Sequence, residues 1–588
     1  MKQPLSLSVI VATHNRRDLL ARTLETVFNQ DFPSDDYEVI VVVDGSTDGT
    51  IEMLRALRSP VALHVLEQPN RGAAAARAAG LKAAGGEFVL FLDDDILCDP
   101  SLFKAHATAH ADSSSEVVIG PVLTAPESPP SLAVDWRRVS AEKALATWEG
   151  RLRWPDHLAV SCNCSVPRAM ALACGGFDER FKSRRDDLEL GLRLQRAGVR
   201  FHYQPEAITY ELYTKSASDL LHSDGTCLGR NEILLSRTHP DYRSCSALAR
   251  LDEGPWWRQL ARRLAAAAPL SPDFLLRAPY WLAERLRRFL GPRRAGVRLL
   301  ELRLAIEFYR SALREAGSFK ALRHEFGMRL PVLLYHRVAV RSSSEYPSLT
   351  VSAKKFERQV RWLAKQGYVG IRASDWLAWC HEGKALPEKP VLFTFDDAYA
   401  DLTEYALPVL QRYGFSAVVF VVTGKLGGTN DWDRGKWAAD LPLMTADQVR
   451  YWANQGIEFG AHTRTHRDLT ILTDAELADE IAGRAEDLKQ LLGAPATSFA
   501  YPHGSYNPPV QDHVRRVFQA AFTVDEGFNT ISSDPHLLRR IMVGPGDLSI
   551  DFAWRLWFAR IPLAHLRARL RLRTRAKRAI GWLRPAHE

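Results

Sequence analysis

The residues best suited to chemistry fall into two carboxylate clusters, each at the end of an apolar run. "FVLFLDDDIL" (Phe88 to Leu97) stops on Asp93, Asp94 and Asp95, and "PVLFTFDDAY" (Pro390 to Tyr399) stops on Asp396 and Asp397. A buried strand ending in acids delivers them to the carboxyl edge of a sheet, where α/β domains bind ligands. The second cluster has partners that the first lacks. "FGAHTRTHRDL" supplies His462 and His466, whose spacing would, on a helical turn, aim both imidazoles from one face at one ion. With Asp397 they would form a facial Asp-His-His set, for which Zn²⁺ is the default and which Co²⁺ or Ni²⁺ would also fit. Asp396, beside that set but outside it, would take a proton from water activated there, the arrangement of metal-assisted hydrolysis.

The elements that must position these groups are legible as two stretches of β/α alternation. From Ser6 to about Pro240, "LSVIVA", "YEVIVVV" and "FVLFLDDD" read as strands, with "RRDLLARTLETVFNQ" and "GTIEMLRALR" as amphipathic helices between them. From Pro331 the alternation resumes with "PVLLYH", "VLFTFDD", "SAVVFVVTG", "GIEFGAH", "TSFAYP" and "AAFTVD", enough strands for a barrel-like domain. Between them, residues 245–325 are rich in Arg, Leu, Ala and Trp and are broken by prolines, which predicts a helical connector. No period relates the two halves, so they are not an internal repeat.

Composition bounds the rest. The 588 residues exceed one ordinary core, and 46% hydrophobic with 25% charged residues is the balance of a globular protein. The opening residues lack the apolar core of a signal peptide and no run approaches a spanning length, which predicts a cytoplasmic protein. Seven cysteines without paired C-x-x-C spacing read as reduced thiols. The net charge of +8 is concentrated in Arg258–Arg298 and Asp551–Glu588, where Arg alternates with Leu, Trp and Phe. That pattern suits helices lying peripherally on the inner face of a membrane, or a solvated helix face. No recognition motif accompanies it, so nucleic acid is not an expected partner.

The order "LSVIVATHN", "YEVIVVVDGSTDGT", "NRGAAAARAAG", "FVLFLDDD", "GGFDERFKSRRDDLEL" resembles family 2 glycosyltransferases over about residues 6–235. The resemblance implies a GT-A nucleotide-sugar-binding fold and an inverting transferase. It implies that Asp93 and Asp95 hold Mg²⁺ or Mn²⁺ against the diphosphate of the donor, and that Asp44 meets the base or ribose. Thr13, Asn15 and Arg16 would line the same pocket. Asp187 would be the general base, with Asp186 as the neighbour able to raise its pKa and the second choice for the role. Glu211 stands where relatives often carry a metal-contacting His. The implied partners are a nucleotide-sugar donor, UDP-linked as the first expectation, and a glycan or lipid-linked saccharide acceptor.

"LPVLLYHRV", "FTFDDAY", "FGAHTRTH" and "SFAYPHGSYN" resemble the polysaccharide deacetylases of carbohydrate esterase family 4 over about residues 330–547. This implies a distorted (β/α) barrel, Asp396 as base, and Asp397, His462 and His466 as ligands of Zn²⁺ or a similar ion. Pro502 and Gly504 would shape the groove, and the Tyr501 region would offer a backbone donor to the oxyanion. Two departures bear on activity. Ala500 stands where many members carry an Arg that holds the base, and the late segment "LRRIMVGPGD" lacks the His that serves as general acid, leaving His336 and His503 as candidates. The expected organisation is a transferase domain at 1–244, a basic connector at 245–329, a deacetylase domain at 330–550 and a basic amphipathic tail at 551–588. The expected function is bifunctional; the alternative is a live transferase with an impaired, sugar-binding deacetylase-like half.

Overall fold

The computed structural model describes residues 6–558 apart from 113–115, 149–161, 183, 250–260, 263–264, 266–292, 341–348 and 435–439. The tail beyond 558 and most of the basic stretch Arg258–Arg298 lie outside the described residues. Two compact units emerge, Met1–Arg323 and His324–Glu588.

The first unit is built on a seven-stranded sheet of β1 (Leu7–Thr13), β2 (Tyr37–Asp44), β3 (Ala62–Gln68), β4 (Phe88–Asp93), β6 (Glu116–Ile119), β8 (Cys164–Pro167) and β9 (Arg200–Tyr203), in the order β3-β2-β1-β4-β8-β6-β9. The first four strands are parallel, while β8 runs antiparallel to β4. Every residue of β2 is buried, as a central strand covered on both faces requires. Thr13 pairs with Val43, and Ala12 with Asp93, so the ends of β1, β2 and β4 reach one edge together. A small second sheet sets β5 (Ile96–Cys98), just past the three aspartates, antiparallel to β10 (Thr209–Glu211), with β7 (Val122–Thr124) on the other side of β10. Its register matches Glu211 to Ile96. The described part of the predicted connector includes a long helix, Arg293–Ala316, packed on the helix Ala217–Thr238. Their backbones approach closely at Gly229, where a Cβ would lie 2.0 Å from the Phe308 carbonyl oxygen.

In the second unit β11 (Val332–Tyr335), β15 (Pro390–Phe395), β16 (Ala417–Val421), β17 (Glu458–Ala461), β18 (Ser498–Ala500), β19 (Ala520–Glu526) and β20 (Leu538–Met542) form a closed, all-parallel barrel. β20 pairs with β11, so the last strand closes the barrel beside the first; β12 (Arg337–Ala339) and β13 (Thr350–Ser352) form a separate parallel pair, and short β14 (Val369–Gly370) adds on outside β15. Tyr335, Phe356, Phe393 and Phe395 form an aromatic layer beneath the strand ends, with centroids 5.3–6.1 Å apart. Each such ring contributes roughly 1.5–3 kcal/mol of burial, which fixes β11 and β15 under the second carboxylate cluster. Among the described residues no helix is long and apolar enough to cross a membrane. All seven cysteines are free thiols.

Candidate active sites

In the first unit a cavity of about 260 Å³ opens at the carboxyl edge of the sheet, lined by Thr13, His14, Arg16, Asp44, Arg77, Asp93, Asp94, Asp95, Arg184, Asp186, Asp187, Glu211 and Lys215 among others. Asp44 accepts from Gln68 Nε2 and the Arg71 amide through Oδ1 (2.7 and 2.8 Å) and from the Gly72 amide through Oδ2 (2.8 Å). Gly72 has φ +96, and a Cβ there would sit 2.5 Å from the Lys182 carbonyl oxygen, so this turn requires glycine. Thr13 Oγ1 donates to Asp94 (2.7 Å), and Arg16 Nη1 bridges Asp94 and Asp95 at 2.8 Å each. Arg77, on the alanine-rich helix Ala73–Ala83, joins Asp93 (2.7 Å) to Asp186 (2.6 Å).

Burial pushes Asp95 up to about 7, with Glu211, Asp94 and Asp93 adding to the rise and Arg16 opposing it. Burial also raises Asp93, but Arg77 outweighs it and holds this carboxyl below its ordinary value. Asp186 is pushed up to about 6 by burial and by Asp187, against Arg77. Asp186 and Asp187 open the helix Asp186–Arg196, after two left-handed residues, Arg184 and Arg185. The helix Ala217–Thr238 clamps that turn: Asn231 Nδ2 donates to the Arg184 carbonyl (2.9 Å), and buried Glu232 pairs with Arg185 at 2.8 Å. Asn15 does not line the cavity. It ties two loops together, its amide donating to Ser46 Oγ and its Oδ1 accepting from the Thr47 amide. Glu211 reaches the rim beside Asp95 but is paired with Arg137.

In the second unit the groups converge from the carboxyl ends of the barrel strands: His336 follows β11, Asp396 and Asp397 follow β15, His462 follows β17 and Tyr501 follows β18. Among the described residues, Asp397, His462 and His466 are the one set of three whose ligand atoms lie within 4.8 Å of one another, and all three are buried. Asp397 Oδ1 is 3.5 Å from His462 Nε2 and 3.2 Å from His466 Nε2, yet has no hydrogen-bond partner. An orphaned buried carboxylate oxygen facing two imidazole nitrogens is the donor set of a divalent metal site, and the residues fit such an ion. His462 Nδ1 donates to the Ala500 carbonyl (2.8 Å), turning Nε2 toward Asp397. Burial, with His466, pushes His462 down to about 4 against the pull of Asp396 and Asp397, so the imidazole is neutral, as a ligand must be. Burial raises Asp397, but His466, His462 and His336 together more than offset it and hold the carboxyl far below its ordinary value.

Asp396 is gripped by Arg540, whose Nη1 and Nη2 reach its two oxygens at 2.6 and 2.9 Å. Arg540 comes from β20, is fully buried, donates from Nε to the Thr523 carbonyl (2.7 Å) and lies 5.9 Å from the centroid of the Phe420 ring. His466 is packed by rings: Trp432 stacks on it at 4.6 Å, and His462 and His503 meet it edge-on at 4.9 and 4.6 Å. Its Nδ1 is buried without a hydrogen-bond partner.

Comparison with known families gives two separate matches, Glycosyl transferase family 2 over residues 8–166 and Polysaccharide deacetylase over residues 383–518. The chain joins a family 2 glycosyl transferase domain to a polysaccharide deacetylase domain. The first is a transferase family and the second a hydrolase family. The deacetylase domain is 29% identical to YxkH of Bacillus subtilis, assigned as a polysaccharide deacetylase, over 37% of this chain and 72% of that protein. The transferase domain is 33% identical to validoxylamine A glucosyltransferase of Streptomyces hygroscopicus subsp. jinggangensis, over 33% of this chain and 52% of the relative. It is 36% identical to the poly(ribitol-phosphate) beta-N-acetylglucosaminyltransferase TarS of Staphylococcus aureus, over 20% of each. The chain thus spans about half of one transferase relative and a fifth of the other.

Three details of the deacetylase domain differ from the sequence reading. His462 and His466 are not on a helical turn: Thr463 and His466 are left-handed (φ +66 and +62), and buried Glu480 accepts from the Arg464 and Thr465 amides at 2.7 and 3.1 Å, forcing an irregular loop. The amide of Tyr501 donates to the Phe522 carbonyl (3.2 Å), so that particular N–H is committed to the barrel. The Arg absent at Ala500 has a counterpart in Arg540. One signal could have found it: alternation in "LRRIM" puts Arg540 on the same face as buried Leu538, and an inward Arg needs an acid. Arg77 was equally visible as the lone charge in "AAAARAAGL".

Proposed function

We propose that the chain is a bifunctional glycan enzyme of envelope polysaccharide synthesis. The transferase domain moves an N-acetylated sugar from a UDP-linked donor to a glycan or lipid-linked acceptor with inversion, and the deacetylase domain hydrolyses the acetamide. The kinship to an N-acetylglucosaminyltransferase supports the donor class. The observation that carries the hydrolytic half is the Arg540–Asp396 fork beside the Asp397, His462 and His466 set. It supports a working base where Ala500 alone would suggest a sugar-binding relic.

Zn²⁺ or a similar ion held by Asp397, His462 and His466 would polarise the acetyl carbonyl and activate water. Asp396, kept anionic by Arg540, takes the proton from the attacking water, and His336 or His503 returns one to the leaving amine. In the transferase domain Asp44 holds the nucleoside, with Thr13 and Arg16 beside it, while Asp93 and Asp95 would hold Mg²⁺ or Mn²⁺, which would supply positive charge against the diphosphate. Asp187, half-buried at the cavity wall and set in the first turn of its helix, accepts the acceptor hydroxyl proton. The basic tail and connector keep the enzyme at the inner membrane face, where lipid-linked acceptors reside.

The test is acetate release from N-acetylglucosamine oligomers by the full chain, with and without Zn²⁺. Release should require metal and vanish in Asp396→Asn. Release that survives Asp396→Asn combined with His462→Ala would sink the assignment, and an inert wild type with normal donor turnover would favour the binding-module reading.

A further inference from the structure

The transferase cavity is acid-rich: seven carboxylates line it against four cations, Arg16, Arg77, Arg184 and Lys215. Two of the cations are already engaged, Arg16 by Asp94 and Asp95 and Arg77 by Asp93 and Asp186. The Arg184 turn is held through its carbonyl by Asn231. Lys215 is half-buried in the cavity wall and, among the described residues, has no ion pair or hydrogen bond from its ammonium. Its backbone is nevertheless firmly placed. On one side the Leu212 amide donates to the Asp95 carbonyl (2.8 Å). On the other, Ser216 caps the helix Ala217–Thr238 in a reciprocal box with Asp219. A partially desolvated cation with no acid of its own, on a fixed backbone in a ligand cavity, is a group waiting for an anion.

The sheet order indicates which anion. Along the cavity the strand ends run Asp44 on β2, Thr13 on β1 and Asp93 on β4, and Lys215 enters the cavity wall from the Asp95 end, three residues past Leu212, whose amide meets the Asp95 carbonyl. Strands lie about 4.8 Å apart, so a nucleoside at Asp44 leaves room for its phosphates to extend toward the Lys215 end, the distal one reaching furthest. We propose that Lys215 binds the β-phosphate of the nucleotide-sugar donor and stabilises the diphosphate as the bond from the sugar to its β-phosphate oxygen breaks. This rests on the transferase reading above. Lys215 supplies a direct charge-assisted hydrogen bond to the oxygen that gains the electron pair.

The experiment is calorimetric titration of the full chain with UDP, GDP and dTDP and with their monophosphates, in Mn²⁺, for wild type, Lys215→Met and Lys215→Arg. One charge-assisted hydrogen bond should make Lys215→Met bind the preferred diphosphate about 10- to 100-fold more weakly. Monophosphate affinity should stay within about twofold, and Lys215→Arg should recover most of the loss. Equal losses for mono- and diphosphate, or no loss, would overturn the inference while leaving the transferase reading intact. A wild type that binds no nucleoside diphosphate would overturn both. Unchanged thermal melts of the two variants establish that folding is not what changed.

Discussion

Replacing Arg540 with Met removes the guanidinium and keeps most of its volume. Asp396 is then a carboxylate with 4% of its side chain exposed and both oxygens stripped of their donors. Breaking one side of a buried ion pair costs about 3–5 kcal/mol, which protonation of the carboxyl relieves, so Asp396 should rise above its ordinary value. The sign of the pH dependence then inverts. In the wild type, burial raises Asp396 but Arg540 wins and holds it low, so its stabilisation is present above the ordinary carboxylate range and is lost only as pH falls through the depressed value. In the variant the folded carboxyl lies above its unfolded value, so stability is lost as pH rises from about 4 through the new pKa. The metal-free deacetylase unit should therefore melt about 6–20 °C lower at pH 8 and close to normally at pH 4. Acetate release at constant Zn²⁺ should have its acid limb displaced upward, with Arg540→Lys intermediate because it keeps charge but not the fork. A melting deficit that is the same at both pH values, with the acid limb unmoved, would refute the pairing as the device that keeps Asp396 charged.

Trp432 stacks on His466, whose Nδ1 has no hydrogen bond to orient it, so Trp432→Ala should weaken Zn²⁺ binding about 10- to 100-fold in chelator competition while Trp432→Phe retains most of it. In the transferase domain, burial pushes His110 down to about 3, assisted by His106, and its Nδ1 is unpartnered. A buried neutral imidazole costs stability as pH falls from about 6.5 toward its folded pKa. His110→Phe, keeping the ring stacked on Phe88, should therefore flatten the loss of transferase-domain melting temperature between pH 6.5 and pH 4, and melting curves that retain the wild-type slope would count against it.

The strands that end in acids were legible because an apolar run closing on a carboxylate is a local pattern, and "YEVIVVV" and "VLFTF" are buried throughout as central strands. The Asp397, His462 and His466 cluster was legible by type and spacing, but the path of the chain between His462 and His466 was not. That path is decided by Glu480, on the helix Asp474–Leu492, and nothing in "HTRTH" names it. Arg77 and Arg540 were missed for the same physical reason: each meets an acid far away along the chain, Arg77 at a separation of 109 residues from Asp186 and Arg540 at 144 residues from Asp396. Such pairings are set by topology, which periodicity alone does not carry. Asp186 and Asp187 were legible as an acidic pair, and burial together with Asp187 raises the carboxyl of Asp186 against Arg77.

The strand that carries Arg540 is also the one that seals the barrel against β11. Asp396 thus receives its counter-charge only when the seam closes, and the Polysaccharide deacetylase match ends at residue 518, before that strand begins. A fragment cut at the family boundary would keep the Asp397, His462 and His466 set but lose the residue that keeps Asp396 charged. During synthesis likewise, the proposed base has no counter-charge until the final strand is in place, which makes completion of the fold itself the step that charges it.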